Sequence, residues 1–189
     1  MNFETSDELN AVQDSLARLL ADHYTPKHRE ALRANPTAYA EQAWQEIGGL
    51  GLAGLQVPEE FGGFGTRPSD LLPVLHELGR ALAPVPFLSS CVLGATALRA
   101  ATDPNVQREL LPALAAGTLQ VTCAHTLPGE GSITAAPATG SHWRLGGTSE
   151  HLPYAASADW LVVPARAGGS DGAQDALFLV EAKAAGVQL

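Results

Sequence analysis

Basic residues are scarce in this chain and never cluster. Its 189 residues hold 11 Lys+Arg against 20 Asp+Glu, a formal net charge of −9. A protein that neutralises a nucleic-acid backbone needs a basic face, so that class of partner is excluded. Long apolar runs are missing too. None reaches the length of a membrane span, and no basic-then-apolar leader opens the chain. Cysteine is nearly absent: Cys91 and Cys123 stand far apart and match no zinc or redox spacing. Two reduced, partly buried thiols in a cytoplasmic protein are the expectation. The six histidines include no i, i+4 pair with an acidic third partner, which argues against a metal site. No nucleophile elbow or other hydrolase signature is present.

What is present is apolar material and turn residues. The sequence is 46% hydrophobic and 16% charged, with 19 Gly and 13 Pro, enough for a globular protein of one or two domains. The first part reads as helices. Thr5-Ser6-Asp7-Glu8 forms a capping-box pattern, followed by Leu9, Val12, Leu16, Leu19 and Leu20 at helical spacing, until a break near Pro26. A second helix carries Tyr39, Trp44 and Ile47 and stops at Gly48-Gly49. A third, from about Pro68 to Leu82, has Leu71, Leu72, Leu75, Leu78 and Leu82 on its buried side, with Pro73 near its first turn. A fourth covers Phe87 to Ala100. The fifth starts at the cap-proline pair Asp103-Pro104 and stops at Gly117.

After Gly117 the period changes. Leu119–Thr126, Trp143–Leu145, Trp160–Ala165 and Ala176–Glu181 are short, β-prone runs between Gly/Ser/Thr/Pro turns, and Ala167–Ala173 reads as a hairpin tip. The final AAGVQL reads as a turn entering another strand, so the chain is expected to stop inside a β-domain. The expected division is a helical domain over residues 1–117 and a β-domain over 118–189.

Two local patterns invite chemistry and are better read as structure. VPEEFGGFG (57–65) sets two carboxylates side by side, but neighbouring side chains diverge in any regular backbone, so Glu59 and Glu60 do not converge on one bond. Pro58 and the glycines mark a turn, with Phe61 and Phe64 expected to bury. Gly49-x-Gly51-x-x-Gly54 fits the dinucleotide fingerprint as a string, yet a helix precedes it where a strand is required.

Three ordered stretches carry a family resemblance. EIGGLGLAGLQVPEEFGGFGTRPSDLLPVLHELGRALAP resembles the helix–turn–helix signature of the acyl-CoA dehydrogenases, close to GLxGLxxPEEYGG…EELGR. CAHTLPGEGS resembles their TEPxAGS segment, and HWRLGGTSEHLPYAASADWLVVPAR their LNGxKxxIT…AD…V-x-A-R segment. The resemblance implies an α+β chain: an N-terminal all-helical domain, then an orthogonal β-barrel-like domain, with the C-terminal helical domain absent from this chain. It implies FAD as cofactor, an acyl-CoA substrate, electron-transfer flavoprotein as electron acceptor, and a homo- or hetero-oligomer. The implied reaction is α,β-desaturation of the thioester. A glutamate takes the α-proton, and hydrogen bonds to the thioester carbonyl acidify the α-carbon.

Carried over by position, Thr126 falls on the threonine that meets the flavin's pyrimidine edge, with Cys123 and His125 as its strand neighbours. Ser132 falls on a serine near the CoA part of the substrate. His151 takes the place of an aromatic residue packing near the flavin. Pro153 replaces a threonine near N5, so it brings neither hydroxyl nor N–H. Leu127, Ile133 and Ser149 replace the family's Glu, Asp and Lys. Thr122 lies off the implied contact. No residue here takes the catalytic glutamate's place, which the family keeps in its C-terminal domain. The alternative implied by the departures is a non-catalytic partner subunit of a hetero-oligomeric dehydrogenase.

Overall fold

The computed structural model describes residues 7–27, 30–31, 41–124, 133–140, 142–168, 172 and 174–189. The chain divides into two compact units, Met1–Leu119 and Gln120–Leu189.

The first unit is helical. In α1 (Asp7–His23) the three-and-four spacing puts Leu16 and Leu20 on one buried stripe, 0% and 2% exposed. Helix α2 (Glu41–Gly49) buries Trp44 and Ile47 against that stripe. His23 Nε2 meets Glu46 Oε2 at 2.6 Å, and the Trp44 indole donates to the Gly117 carbonyl at 3.1 Å. Gly51, at φ 75, turns the chain into the short 3-10 piece Leu52–Gly54. The fingerprint-like glycines thus lie between a helix end and a tight turn.

The VPEEFGGFG segment is a turn folded back on residues 54–57. Glu59–Phe61 form one 3-10 turn, and Gly62 reverses the chain at φ 82. The N–H groups of Phe64, Gly65 and Thr66 then donate to the carbonyls of Gly54, Val57 and Leu55. Both glutamates are exposed. Phe64 differs from expectation: it is 56% exposed, because the return strand of the turn lies at the surface.

A 3-10 turn, Pro68–Leu71, leads into α3 (Leu72–Arg80), where Pro73 sits at the first turn and costs no internal hydrogen bond. Leu71, Val74 and Leu78 form the buried stripe. Leu72 and Leu82 were expected on it and are 56% and 70% exposed. Leu72 is rotated about 100° from Leu71, and Leu82 lies past the helix end at φ 51, where helical phase no longer applies. Glu77 faces inward and is held from several sides. Gln13 Nε2 donates at 3.0 Å, Arg80 approaches at 2.7 Å, and His76 Nδ1 lies at 3.2 Å. The α1–α3 contact therefore has a polar pin beside its apolar stripe.

Phe87–Gly94 is a π-helix that runs directly into α4 (Ala95–Arg99), burying Phe87, Cys91, Ala95 and Leu98. Such segments are rare and often lie near functional sites. Helix α5 (Pro104–Ala115) opens as expected, with Asp103 accepting from the Asn105 N–H at 2.9 Å and proline at the first helical position. It buries Leu110, Leu111 and Leu114.

Among the described residues, the second unit is a mixed sheet of five strands: β1 (Val121–Cys123), β2 (Thr134–Pro137), β3 (Trp143–Gly146), β4 (Trp160–Ala167) and β5 (Gln174–Glu181). β4 and β5 form an antiparallel hairpin paired over eight residues. β1 and β2 both run parallel to β4, at its two ends, and β3 pairs antiparallel with β2. Alternation sends Leu161, Val163 and Ala165 to one face, where Ile133, Ala135, Ala158 and Ala182 complete the core. Trp143 and Phe178 pack at 5.4 Å with their rings tilted 59°. The sequence pattern gave no sign of β2, whose TAAP lacks β-branched residues apart from Thr134. Residues 182–189 are turns and irregular chain, with no strand.

Candidate functional site

β4 positions the site. Its even-numbered residues face β1 and β2: Trp160 N–H donates to Gln120 O, Val162 O accepts from Ala124 N–H, and Arg166 N–H donates to Ile133 O. Between these bonds stands Pro164, which has no N–H to leave unpaired. Pro164 presents only its carbonyl to that edge. From Cys123, paired with Val162, to Thr134, paired with Arg166, the chain advances eleven residues while β4 advances four, an excess of seven.

Of the sequence-predicted residues, His125, Thr126 and Ser132 lie outside the described residues. Cys123 ends β1 and is half-buried, and burial pushes its thiol up to about 11. A thiol so raised is no nucleophile at neutral pH. Cys91 is buried outright, and its pKa is raised by the same desolvation. His151 and Pro153 are exposed.

Thr122, off the implied flavin contact by sequence, is tied in the structure to Pro153. Thr122 is 1% exposed, and its hydroxyl donates to the Pro153 carbonyl at 2.6 Å. The end of β1 and the segment through His151 and Pro153 are therefore tied together, so Cys123 and Pro153 belong to one neighbourhood. Pro153 lacks a donor and contributes an acceptor. The signal available in sequence was a threonine on the core-facing register of VTC: Thr122 pairs with Leu161, and a buried hydroxyl needs an acceptor.

Tyr154 is the second residue that sequence missed. Its φ of 59 places it in the left-handed region, unusual for a bulky side chain. Its carbonyl accepts from the Ser157 and Ala158 N–H groups at 3.1 Å and from the Ser157 hydroxyl. Leu152 packs on the sheet core. The segment is held in a strained form by contacts on both sides, a pattern frequent at ligand-holding segments. Among the described residues there is no group of three or more His, Cys, Asp or Glu able to hold a metal ion.

A helical unit followed by a mixed sheet defines an α+β protein. Comparison with known proteins gives the family. Residues 6–118 match the acyl-CoA dehydrogenase N-terminal domain. Acyl-CoA dehydrogenase FadE27 of Mycobacterium tuberculosis is 32% identical over 97% of this chain and 48% of its own length. The ChsE4-ChsE5 complex of Mycobacterium tuberculosis superposes with a TM-score of 0.85 at 32% identity, covering 98% of this chain and 50% of that one. An acyl-CoA dehydrogenase of Bacillus anthracis complexed with FAD gives a TM-score of 0.81 at 25% identity, over 97% of this chain and 33% of that one.

The chain belongs to the acyl-CoA dehydrogenase family. It spans about half the length of FadE27 and of the ChsE4-ChsE5 chain, 48% and 50%.

Proposed function

We propose that the protein acts as an FAD-dependent acyl-CoA dehydrogenase, forming a double bond between the α- and β-carbons of an acyl-CoA thioester. The observation that carries the reading is the register on β4: the segment resembling TEPxAGS falls in the interval between Cys123 and Thr134, where the chain advances eleven residues against four on β4. The resident chemistry fits a flavin. A strand end, an acceptor-tied segment and a half-buried neutral thiol offer contacts to a flat heterocycle with a polar rim. Cys123, His125 and Thr126 would hold the ring at the strand end, His151 and Pro153 would flank it, and Ser132 would face the CoA part of the substrate. The bound flavin supplies an acceptor for the electron pair that leaves the β-carbon. The family resemblance assigns the α-proton to a glutamate of the C-terminal domain. A cytoplasmic location and electron-transfer flavoprotein as the electron acceptor belong to the same proposal.

A second reading has its own support. His151 and Pro153 depart from the family pattern, and the Pro153 carbonyl is already engaged by Thr122. The ChsE4-ChsE5 relative is a complex of differently named components. On this reading the chain is a non-catalytic partner in a hetero-oligomer.

The visible spectrum of the purified full-length protein, alone and with the product of the neighbouring coding sequence, separates the two. Flavin bands carried by this chain support the dehydrogenase reading. In a fluorescence titration, Thr126→Ala should weaken FAD about two- to tenfold, the equivalent of one lost hydrogen bond. Equal affinity for Thr126→Ala and the parent removes Thr126 from the site. A protein that takes up no FAD in any preparation belongs to the second reading.

A further inference from the structure

A buried hydroxyl on the core-facing side of a strand is costly unless it is paired, and hydrophobic residues could fill the position without that demand. Thr122 occupies such a position. Its register partner Leu161 lies in the sheet core, and its side chain is 1% exposed. The 2.6 Å bond to the Pro153 carbonyl joins two stretches 31 residues apart in sequence. One is strand β1, which ends shortly before residue 125. The other runs from His151 through Tyr154.

That second stretch does not hold its form by local preference. Tyr154 stands at φ 59, a region that L-residues enter only against a steric cost. Ser157 and Ala158 hold the Tyr154 carbonyl from within the turn, and contacts outside it hold the residues before. Leu152 anchors one side through the sheet core, and the Thr122 hydroxyl anchors Pro153 itself. Proline makes the carbonyl a good handle: φ is fixed, so holding the oxygen fixes the peptide plane entering Tyr154.

We infer that Thr122 is a positioning residue: through its bond to Pro153 it sets the spacing between the end of β1 and the His151–Tyr154 stretch, and with it the seat of the flavin ring. The inference rests on the flavin reading above and assigns Thr122 no contact with the flavin. Thr122 acts through Pro153.

The test is FAD titration of the full-length protein with three variants, followed by fluorescence and by the absorption spectrum of the bound flavin. Thr122→Val keeps the shape and loses the hydroxyl. Thr122→Ser keeps the hydroxyl and loses a methyl group. Loss of the hydroxyl should weaken FAD about three- to tenfold and shift the flavin bands, while Thr122→Ser should stay within about twofold of the parent. A packing role predicts the reverse order, with Thr122→Ser the weaker binder. Should Thr122→Val fail to fold, Thr122→Ala beside Thr122→Ser gives the same contrast, since these two differ only in the hydroxyl. Parent-like affinity and spectrum in Thr122→Val (or in Thr122→Ala, if that is the variant used) overturn the inference and leave the flavin reading standing. A parent that binds no FAD in any preparation overturns both.

Discussion

Replacing Gly63 by alanine should unpick the turn at residues 57–65, whereas the same change at Gly62 should only strain it. A Cβ on Gly63 would lie 2.1 Å from the Val57 carbonyl oxygen, 2.5 Å from Val57 Cβ and 2.6 Å from the Gly54 oxygen. All three belong to chain that is buried, Val57 at 0% exposure, so no flexible side chain can yield. To reach the 3.0 Å that real Cβ atoms require, the two passes of backbone must separate. That separation breaks the bonds from Phe64 N–H to Gly54 O, 3.0 Å, and from Gly65 N–H to Val57 O, 2.8 Å. Each is worth about 1 kcal/mol net. Partial exposure of Val57 adds roughly 1–2 kcal/mol, for a total of about 3–4 kcal/mol. Gly62 has open space around its Cβ position but sits at φ 82, so Gly62→Ala should cost about 1–2 kcal/mol. Urea denaturation followed by tryptophan fluorescence reads both variants, with Trp44 buried in the helical unit as a reporter. If Gly63→Ala proves no more destabilising than Gly62→Ala, the turn is not clamped as described and the steric argument fails.

Glu77→Gln should cost about 1–3 kcal/mol at neutral pH, toward the lower part of that range because Arg80 is exposed. Hydrogen bonds from Gln13 first and Arg80 second hold the Glu77 carboxyl below its usual range, so its contribution is present above the unfolded value and lost as pH falls through the folded one. Melting curves of parent and variant should therefore converge below about pH 4, and a gap that persists at pH 2 would refute the assignment. Leu111→Ala, at a fully buried site on α5, should lose about 2–5 kcal/mol in denaturant titration. A loss under 1 kcal/mol would mean that the site collapses freely around the gap. Asp103→Ala should cost about 1 kcal/mol by removing the N-cap of α5, with Asp103→Asn retaining most of it.

How much of this was legible depends on what kind of signal each element carries. Helices α1, α2 and α5 were readable because several apolar residues repeat at helical spacing and an explicit stop or start bounds each one: glycines after Ile47, the Asp103-Pro104 pair before α5. Periodicity failed at its ends, where Leu82 lies past the helix in the left-handed region. β2 was illegible because its four residues are held by pairing with β3 and β4 and not by their own propensity. At the candidate site, position within the motif singled out Cys123 and Pro153 as candidates, but nothing local shows that residue 122 meets residue 153. That contact is made by parallel pairing of β1 with β4, a long-range event that composition does not encode.

The π-helix at Phe87–Gly94 has a consequence for how this chain tolerates change. Its wider turn holds one residue more than an α-turn, and the helix continues without a break into Ala95. It can therefore be regarded as a stored insertion. Removing a single residue from it would let the backbone close the narrower i→i−4 ladder and keep a continuous helix through α4. The same deletion within α5, which has no such surplus, would rotate every later position by about 100° and carry Leu111 and Leu114 off the core. One-residue length variants should accordingly survive at one helix of this unit and be lost at the other.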